Sequence, residues 1–328
     1  LRCSWLNNAI NNSIINRNDR LGDSLIDAEN LTKKFGSLIA VEDLTLHVDQ
    51  GEVFGFLGPN GAGKTTTIRM LCCLISKTSG KAQIGDYEVG NSSDTQKIRN
   101  IIGLLPENVG LYEGLSAYKN LDFYGRLHKL SEQQRKEKIE YFLRILELWE
   151  KRNVPVGTFS KGMKQKLAIA RALIHDPQVL FLDEPTANLD PEASKMVRDF
   201  ILELKKEKRT IFLNTHLLDE AERICDRVGI LRTKLLAVDK PENLRESLWG
   251  KKTLVQLEHV TDEILASLKK VALGKIEVEN NKLIIKVNDP EKENPDIVDA
   301  IQTAGGRIQL VTQVTSTLED VYLKLVRS

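Results

Sequence analysis

The eight residues GPNGAGKT, Gly58 to Thr65, constrain this chain more than any other stretch. They fill the pattern G-x-x-x-x-G-K-[ST] between VFGFL, which reads as a buried strand, and a helical pattern from Thr65 to Ile75. In that setting the glycines let backbone N–H groups wrap phosphate oxygens. Lys64 is placed to reach the β- and γ-phosphates of a nucleotide, and the Thr65 hydroxyl to ligate Mg²⁺.

VLFLDEP, Val179 to Pro185, reads as a second buried strand, this one ending in two carboxylates. Asp183 is expected to hold Mg²⁺ through its water shell, and Glu184 to orient and deprotonate an attacking water. Alone, an Asp-Glu pair at a strand end fits a solvated turn equally well. Beside a full phosphate loop the catalytic reading prevails. TIFLNT is a third buried strand. Strands alternating with helices indicate an α/β fold, with helices on both sides of a parallel sheet. Ile68, Leu71, Cys72 and Ile75 share one helix face, which makes Cys72 a core residue rather than a reactive thiol. From Leu115 to Leu148 the pattern is mainly helical, with Ile139, Phe142, Leu143 and Leu146 on one face.

The charge balance argues against a partner held by bulk charge, while leaving a local patch open. Lys and Arg number 47 against 46 Asp and Glu, so bulk charge does not favour nucleic acid or an anionic membrane. Cys3, Cys72, Cys73 and Cys225 form no CxxC pair and no zinc spacing, which fits a reduced, cytoplasmic setting. Apolar runs are far too short for a membrane span, so any membrane role needs another chain. Residues 1–24 are rich in Asn and read as a poorly ordered extension rather than a signal peptide. Residues 25–240 read as the nucleotide-binding domain and 241–328 as an accessory or regulatory α+β domain. In the latter, KTLVQLE, TDEILASLKK, KIEVEN, KLIIKV, PDIVDAIQTAG and RIQLVT give strand-helix-strand-strand-helix-strand, the ferredoxin-like order, before a closing helix TLEDVYLKLV.

The phosphate loop and the acidic strand leave GTPase, small-molecule kinase, helicase and transport ATPase open; the absence of NKxD lowers the first. FSKGM at Phe159 to Met163, ANLD at Ala187 to Asp190 and His216 in NTHLLDEAE complete an ordered set of five motifs. The set resembles the ATP-binding cassette (ABC) family of ATPases over about Leu25 to Lys240.

The resemblance implies a P-loop ATPase domain with antiparallel β and helical subdomains, using ATP and Mg²⁺. In it Phe35 stacks on adenine, although a core aromatic is the competing reading. Gly58, Pro59, Asn60, Gly61, Ala62, Gly63, Lys64, Thr65 and Thr66 form the phosphate-binding Walker A loop, with Lys64 catalytic. Ser160 and Gly162 belong to the signature loop, which meets the γ-phosphate held by a partner subunit; Ser160 also suits an ordinary helix N-cap. Asp183 and Glu184 are the magnesium carboxylate and the catalytic base. Asp190 lies in the loop that communicates across the dimer, and His216 is the switch histidine at the γ-phosphate. Two positions depart from the common family pattern. Lys161 replaces the first signature glycine, and Glu107 stands where a magnesium-sensing glutamine is usual.

Both departures resemble the drug, antibiotic and lipid export branch, as does the terminal segment Ser316 to Leu325. The resemblance therefore implies an exporter's ATPase subunit, cytoplasmic and peripheral on the inner face of the cell membrane. Its partners would be a separate transmembrane permease and a second copy or related ATPase, with no nucleic acid expected. Tyr112 and Leu115 would be exposed toward the permease. The alternatives are a soluble cassette ATPase acting on DNA or ribosomes, and a subunit that binds ATP without turning it over.

Overall fold

The computed structural model describes residues 24–187, 189–272, 274–314 and 317–327. The Asn-rich extension up to residue 23, Asn188 and Ser316 lie outside the described residues. The nucleotide-binding part contains β1 (Ser24–Phe35), β2 (Leu38–Asp49), β3 (Val53–Leu57), β4 (Ser79–Ile84), β5 (Tyr87–Glu88), β6 (Ile102–Leu105), β7 (Val179–Asp183), β8 (Thr210–Thr215), β9 (Arg227–Arg232) and β10 (Lys234–Asp239). The carboxyl-terminal part adds β11 (Lys251–Leu257), β12 (Ile276–Glu279), β13 (Lys282–Val287) and β14 (Ile308–Val314).

A six-stranded sheet in the order β10-β9-β3-β8-β7-β6 forms the centre, parallel except for β10. β3, β7 and β8 are buried at every residue, because helices or strands cover both faces. Their alternation divides two cores. Val53, Leu57, Leu180, Leu182, Ile211 and Leu213 face the helical side. Phe54, Phe56, Phe181 and Phe212 face the other, with Phe212 5.2–5.5 Å from the other three ring centroids. The phenylalanine layer packs against the antiparallel sheet β2-β1-β4-β5 and against Ile68 and Leu71 of the phosphate-loop helix.

That helix spans Lys64–Leu71, shorter than the apolar period reaching Ile75 suggests. Cys73 turns left-handed at φ 54°, and the Leu74 N–H closes on the Arg69 carbonyl at 2.8 Å. Ile75 still packs on the same core, so the period outlasts the helix. Cys72 is buried as expected, and burial pushes its thiol well up. The helical stretch from Leu115 to Leu148 divides into Ala117–Leu127 and Glu132–Ile145, each started by a serine cap, Ser116 and Ser131. Ile139, Leu143 and Leu146 bury the expected face.

The last sheet runs β12-β13-β11-β14, antiparallel throughout, with the helices Asp262–Val271 and Pro290–Thr303 in the ferredoxin-like order. Val255, Leu283, Ile285, Leu268 and Ile301 make its core. The closing helix, Leu318–Arg327, behaves differently. Leu318 and Val321 are fully buried in the helical-side core of the nucleotide-binding part.

Candidate functional site

The phosphate loop leaves β3 at Gly58 and enters its helix at Gly63, whose φ of 103° only glycine adopts readily. A Cβ there would lie 2.3 Å from the Ala40 carbonyl oxygen, so β2 forms the loop's outer wall. Pro59, Asn60, Gly61 and Ala62 make the turn, and Thr65 and Thr66 open the helix with Lys64. Lys64 is 6% exposed and donates to the Gly58 carbonyl at 2.6 Å and the Pro59 carbonyl at 3.2 Å. Burial lowers its ammonium pKa, against the opposing pull of Glu184 and Asp183.

Asp183 ends β7, 3% exposed, and accepts from the Thr65 hydroxyl at 3.2 Å and from the Asn214 amide. Burial raises its carboxyl above the ordinary range, and the charge of Glu107 adds to this; Thr65, Asn214 and Lys64 oppose the rise. A buried carboxylate raised in this way, beside a hydroxyl, is an all-oxygen set that suits a hard divalent cation. The next residue, Glu184, sits at φ 53°, a strained conformation for a side chain of its size. Its N–H donates to the Asn214 carbonyl at 2.9 Å, and its carboxylate lies 2.8 Å from Nδ1 of His216, just past β8. Adjacent parallel strands thus bring Asp183, Glu184 and His216 to the edge where the phosphate loop also ends.

Glu107 and Asp183 line one small pocket with Arg69 and Asn108. Phe35, at the end of β1, is 49% exposed, with the Lys33 ammonium 4.8 Å from its ring centroid. It is therefore not a core aromatic.

Ser160 caps the helix Lys161–Leu173, accepting from the Met163 N–H at 3.2 Å. Asp190 caps Pro191–Lys206 likewise, accepting from the Ala193 N–H at 2.8 Å. A Cβ on Gly162 would come within 3.0 Å of the Ala193 Cβ, so the missing side chain sets these two helix starts against each other. Ser160, Lys161 and Asp190 are exposed. Among the described residues no hydrogen bond joins Ser160 or Gly162 to the phosphate loop.

Four side chains with structural parts in the site escaped the motif reading. Asn214 bridges to Asp183, and its own Oδ1 is buried without a partner. A polar residue inside the apolar run TIFLNT was the available signal. Gln165 donates to the Pro185 carbonyl at 2.8 Å, tying the Ser160 helix to the loop after Glu184. Arg171 donates to the carbonyls of Val109 and Gly110, holding the segment after Glu107. Glu220 binds Thr186 and Arg198. Leu115, expected to be exposed, is half-buried, because its carbonyl accepts from Val156 N–H and the Asn120 amide. Tyr112 is exposed, beside Phe123 at 5.0 Å between centroids.

A glycine-rich loop from a central parallel strand into a helix, with carboxylates at the end of a strand two places along the same sheet, defines a P-loop nucleoside triphosphatase. A family model described as ABC transporter matches residues 41–187, and one described as ATP-binding protein DrrA1-3-like, C-terminal domain, matches 240–326. The bacitracin transport ATP-binding protein BcrA of Bacillus licheniformis is 35% identical, over 92% of this chain and 97% of that protein. Nod factor export ATP-binding protein I of Rhizobium sp. (strain N33) is 35% identical, over 92% and 96%. The linearmycin resistance ATP-binding protein LnrL of Bacillus subtilis is 33% identical, over 76% and 80%. Among solved structures, an ATP-binding subunit of an ABC transporter superposes with TM-score 0.64 at 31% identity, covering 69% of this chain and 94% of that one. A dimeric ATP-binding cassette in a post-hydrolysis state, bound to ADP and phosphate, gives 0.60 at 26%, covering 66% and 98%. The chain belongs to the ABC transporter ATP-binding proteins, and its P-loop domain is an ATPase of that class.

Proposed function

We propose that this chain is the ATP-hydrolysing subunit of an exporter whose membrane-spanning permease is a separate chain, working as a head-to-tail dimer on the cytoplasmic face of the membrane. The relatives named for bacitracin transport, Nod factor export and linearmycin resistance support the exporter reading. Among the described residues no helix is long and apolar enough to cross a membrane, which supports a separate permease. The observation that carries the dimer is the exposure of Ser160 and Asp190, each capping a helix that starts side by side with the other. Free N–H groups at such ends suit an anion, and Lys161 adds positive charge.

In this reading Lys64 exchanges its loop carbonyls for the β- and γ-phosphates of ATP, and Phe35 offers its face to the adenine. Thr65 and Asp183 would hold Mg²⁺, with Glu107 nearby, and the ion would supply positive charge against the charge that develops on the phosphates. Glu184 takes the proton of the attacking water. His216 holds Glu184 in place and reaches the γ-phosphate. Ser160 and Gly162 of the second copy close the site. Closure is passed to the permease through the segment 106–115, which Arg171 ties to the Ser160 helix and from which Tyr112 projects.

Glu184→Gln tests the reading. It should bind ATP, lose turnover by about a hundredfold or more, and run as a dimer with ATP by light scattering. A monomer under those conditions would sink the dimer model.

A further inference from the structure

Glu220 is a buried carboxylate, 6% exposed, inside the NTHLLDEAE stretch but given no role by the motif that His216 carries. Both its oxygens are engaged. Oε2 accepts from the Thr186 hydroxyl at 2.6 Å, and Oε1 from the Arg198 guanidinium at 2.7 Å. Thr186 lies two residues after Glu184. Glu220 lies on the helix Leu218–Ile224, four residues after His216. Arg198 is on the helix that Asp190 starts. One carboxylate therefore ties together the three segments that carry Glu184, His216 and Asp190.

We infer that Glu220 is a positioning residue for the Glu184–His216 pair, an inference that rests on the catalytic reading of that pair. A buried ion pair adds little net stability over apolar residues of equal volume. What it does supply is directional: each hydrogen bond fixes one loop relative to another. Glu184 and His216 come from different loops, and their 2.8 Å contact holds only while the two loops keep their spacing. The helix bearing Glu220 is also braced from behind. Glu222 pairs with Arg245 of the helix Pro241–Trp249, and the closing helix packs Leu318 and Val321 into the core shared by Ala221 and Ile224. Through Arg198, the same carboxylate links the pair to the helix whose exposed start is the proposed dimer face.

The test is steady-state ATP hydrolysis by the full chain carrying Thr186→Val, Glu220→Gln or Glu220→Ala, with ATP binding and thermal melting measured alongside. Thr186→Val is nearly isosteric, so it folds even where Glu220→Ala does not. Thr186→Val and Glu220→Ala should each lower kcat about tenfold to a hundredfold, with KM for ATP within about twofold. The double variant should lose no more than the worse single one. Glu220→Gln, which keeps an acceptor for Thr186, should recover most of the rate. Unchanged kcat in Thr186→Val, or losses that multiply in the double variant, would overturn the inference. Wild-type turnover in Glu184→Gln would instead remove the catalytic reading beneath it, whatever Thr186→Val does.

Discussion

Nδ1 of His216 lies 2.8 Å from the Glu184 carboxylate, although 32 residues separate them in the chain. The contact exists because β7 and β8 are hydrogen-bonded neighbours that pair Asp183 with Asn214, and the chain turns left-handed at Glu184 directly after. The Glu184 N–H then bonds to the Asn214 carbonyl, which fixes the turn. A carboxylate held this way is oriented before any ligand arrives.

Replacing Ser160 with tyrosine should separate binding from hydrolysis. The cap to Met163 is lost, which costs about 1 kcal/mol of stability. The phosphate loop is untouched, so fluorescent-nucleotide binding should stay near wild type. Phosphate release should fall about a hundredfold. Normal release would remove the role of this helix start.

Gly63→Ala should damage the phosphate loop itself. The backbone at φ 103° resists a side chain, and the new Cβ would clash with the Ala40 carbonyl. Strain of about 1–3 kcal/mol, falling on the phosphate-binding conformation, corresponds to a loss in ATP affinity of about fivefold to 150-fold. Titration calorimetry with ATP reads this directly, with circular dichroism as the control for folding.

His175 predicts acid lability. Its ring stacks on His128 at 3.7 Å, its Nδ1 is buried without a partner, and burial, helped by His128, pulls its pKa from 6.5 to about 4. A histidine depressed by folding takes up protons in the unfolded chain first. Its contribution is therefore present above the unfolded value and is lost as pH falls through the folded value. The loss amounts to up to about 3 kcal/mol between roughly pH 6.5 and pH 4. Urea unfolding at several pH values should show this slope, and His175→Phe should flatten it.

Leu318→Ala should weaken the nucleotide-binding part even though residue 318 follows the ferredoxin-like sheet. Its side chain is fully buried in the helical-side core, so truncation should cost about 2–5 kcal/mol. In thermal melts, the transition that ATP shifts upward is the one that should fall. A drop confined to an ATP-insensitive transition would place the helix elsewhere.

Much of this was readable in the linear chain because it depends on neighbours in sequence. The phosphate loop needs glycines at fixed spacing between one strand and one helix. The apolar runs VFGFL, VLFLD and TIFLNT announce fully buried strands. Strand and helix order alone gave the ferredoxin-like sheet at the carboxyl end. The apolar period overstates the helix after Lys64, because Ile75 keeps that period after the chain has left the helix. Leu115 is half-buried against its expected exposure, because the sequence does not reveal that Asn120 and Val156 fold back on its carbonyl.

What the sequence determined by itself was the class of chemistry, since backbone conformation and residue type at Gly58 to Thr65 and at Asp183-Glu184 are local properties. Only the tertiary structure decided which side chains meet. Strand order set Asp183 beside Asn214 and Glu184 beside His216. Helix packing brought Glu220 to Thr186 and sent Leu318 back into the core of a domain it follows by many residues. Such contacts join positions far apart in the chain, and no spacing rule along the sequence encodes them; they arise when buried apolar faces choose their neighbours and the polar groups carried along must find partners.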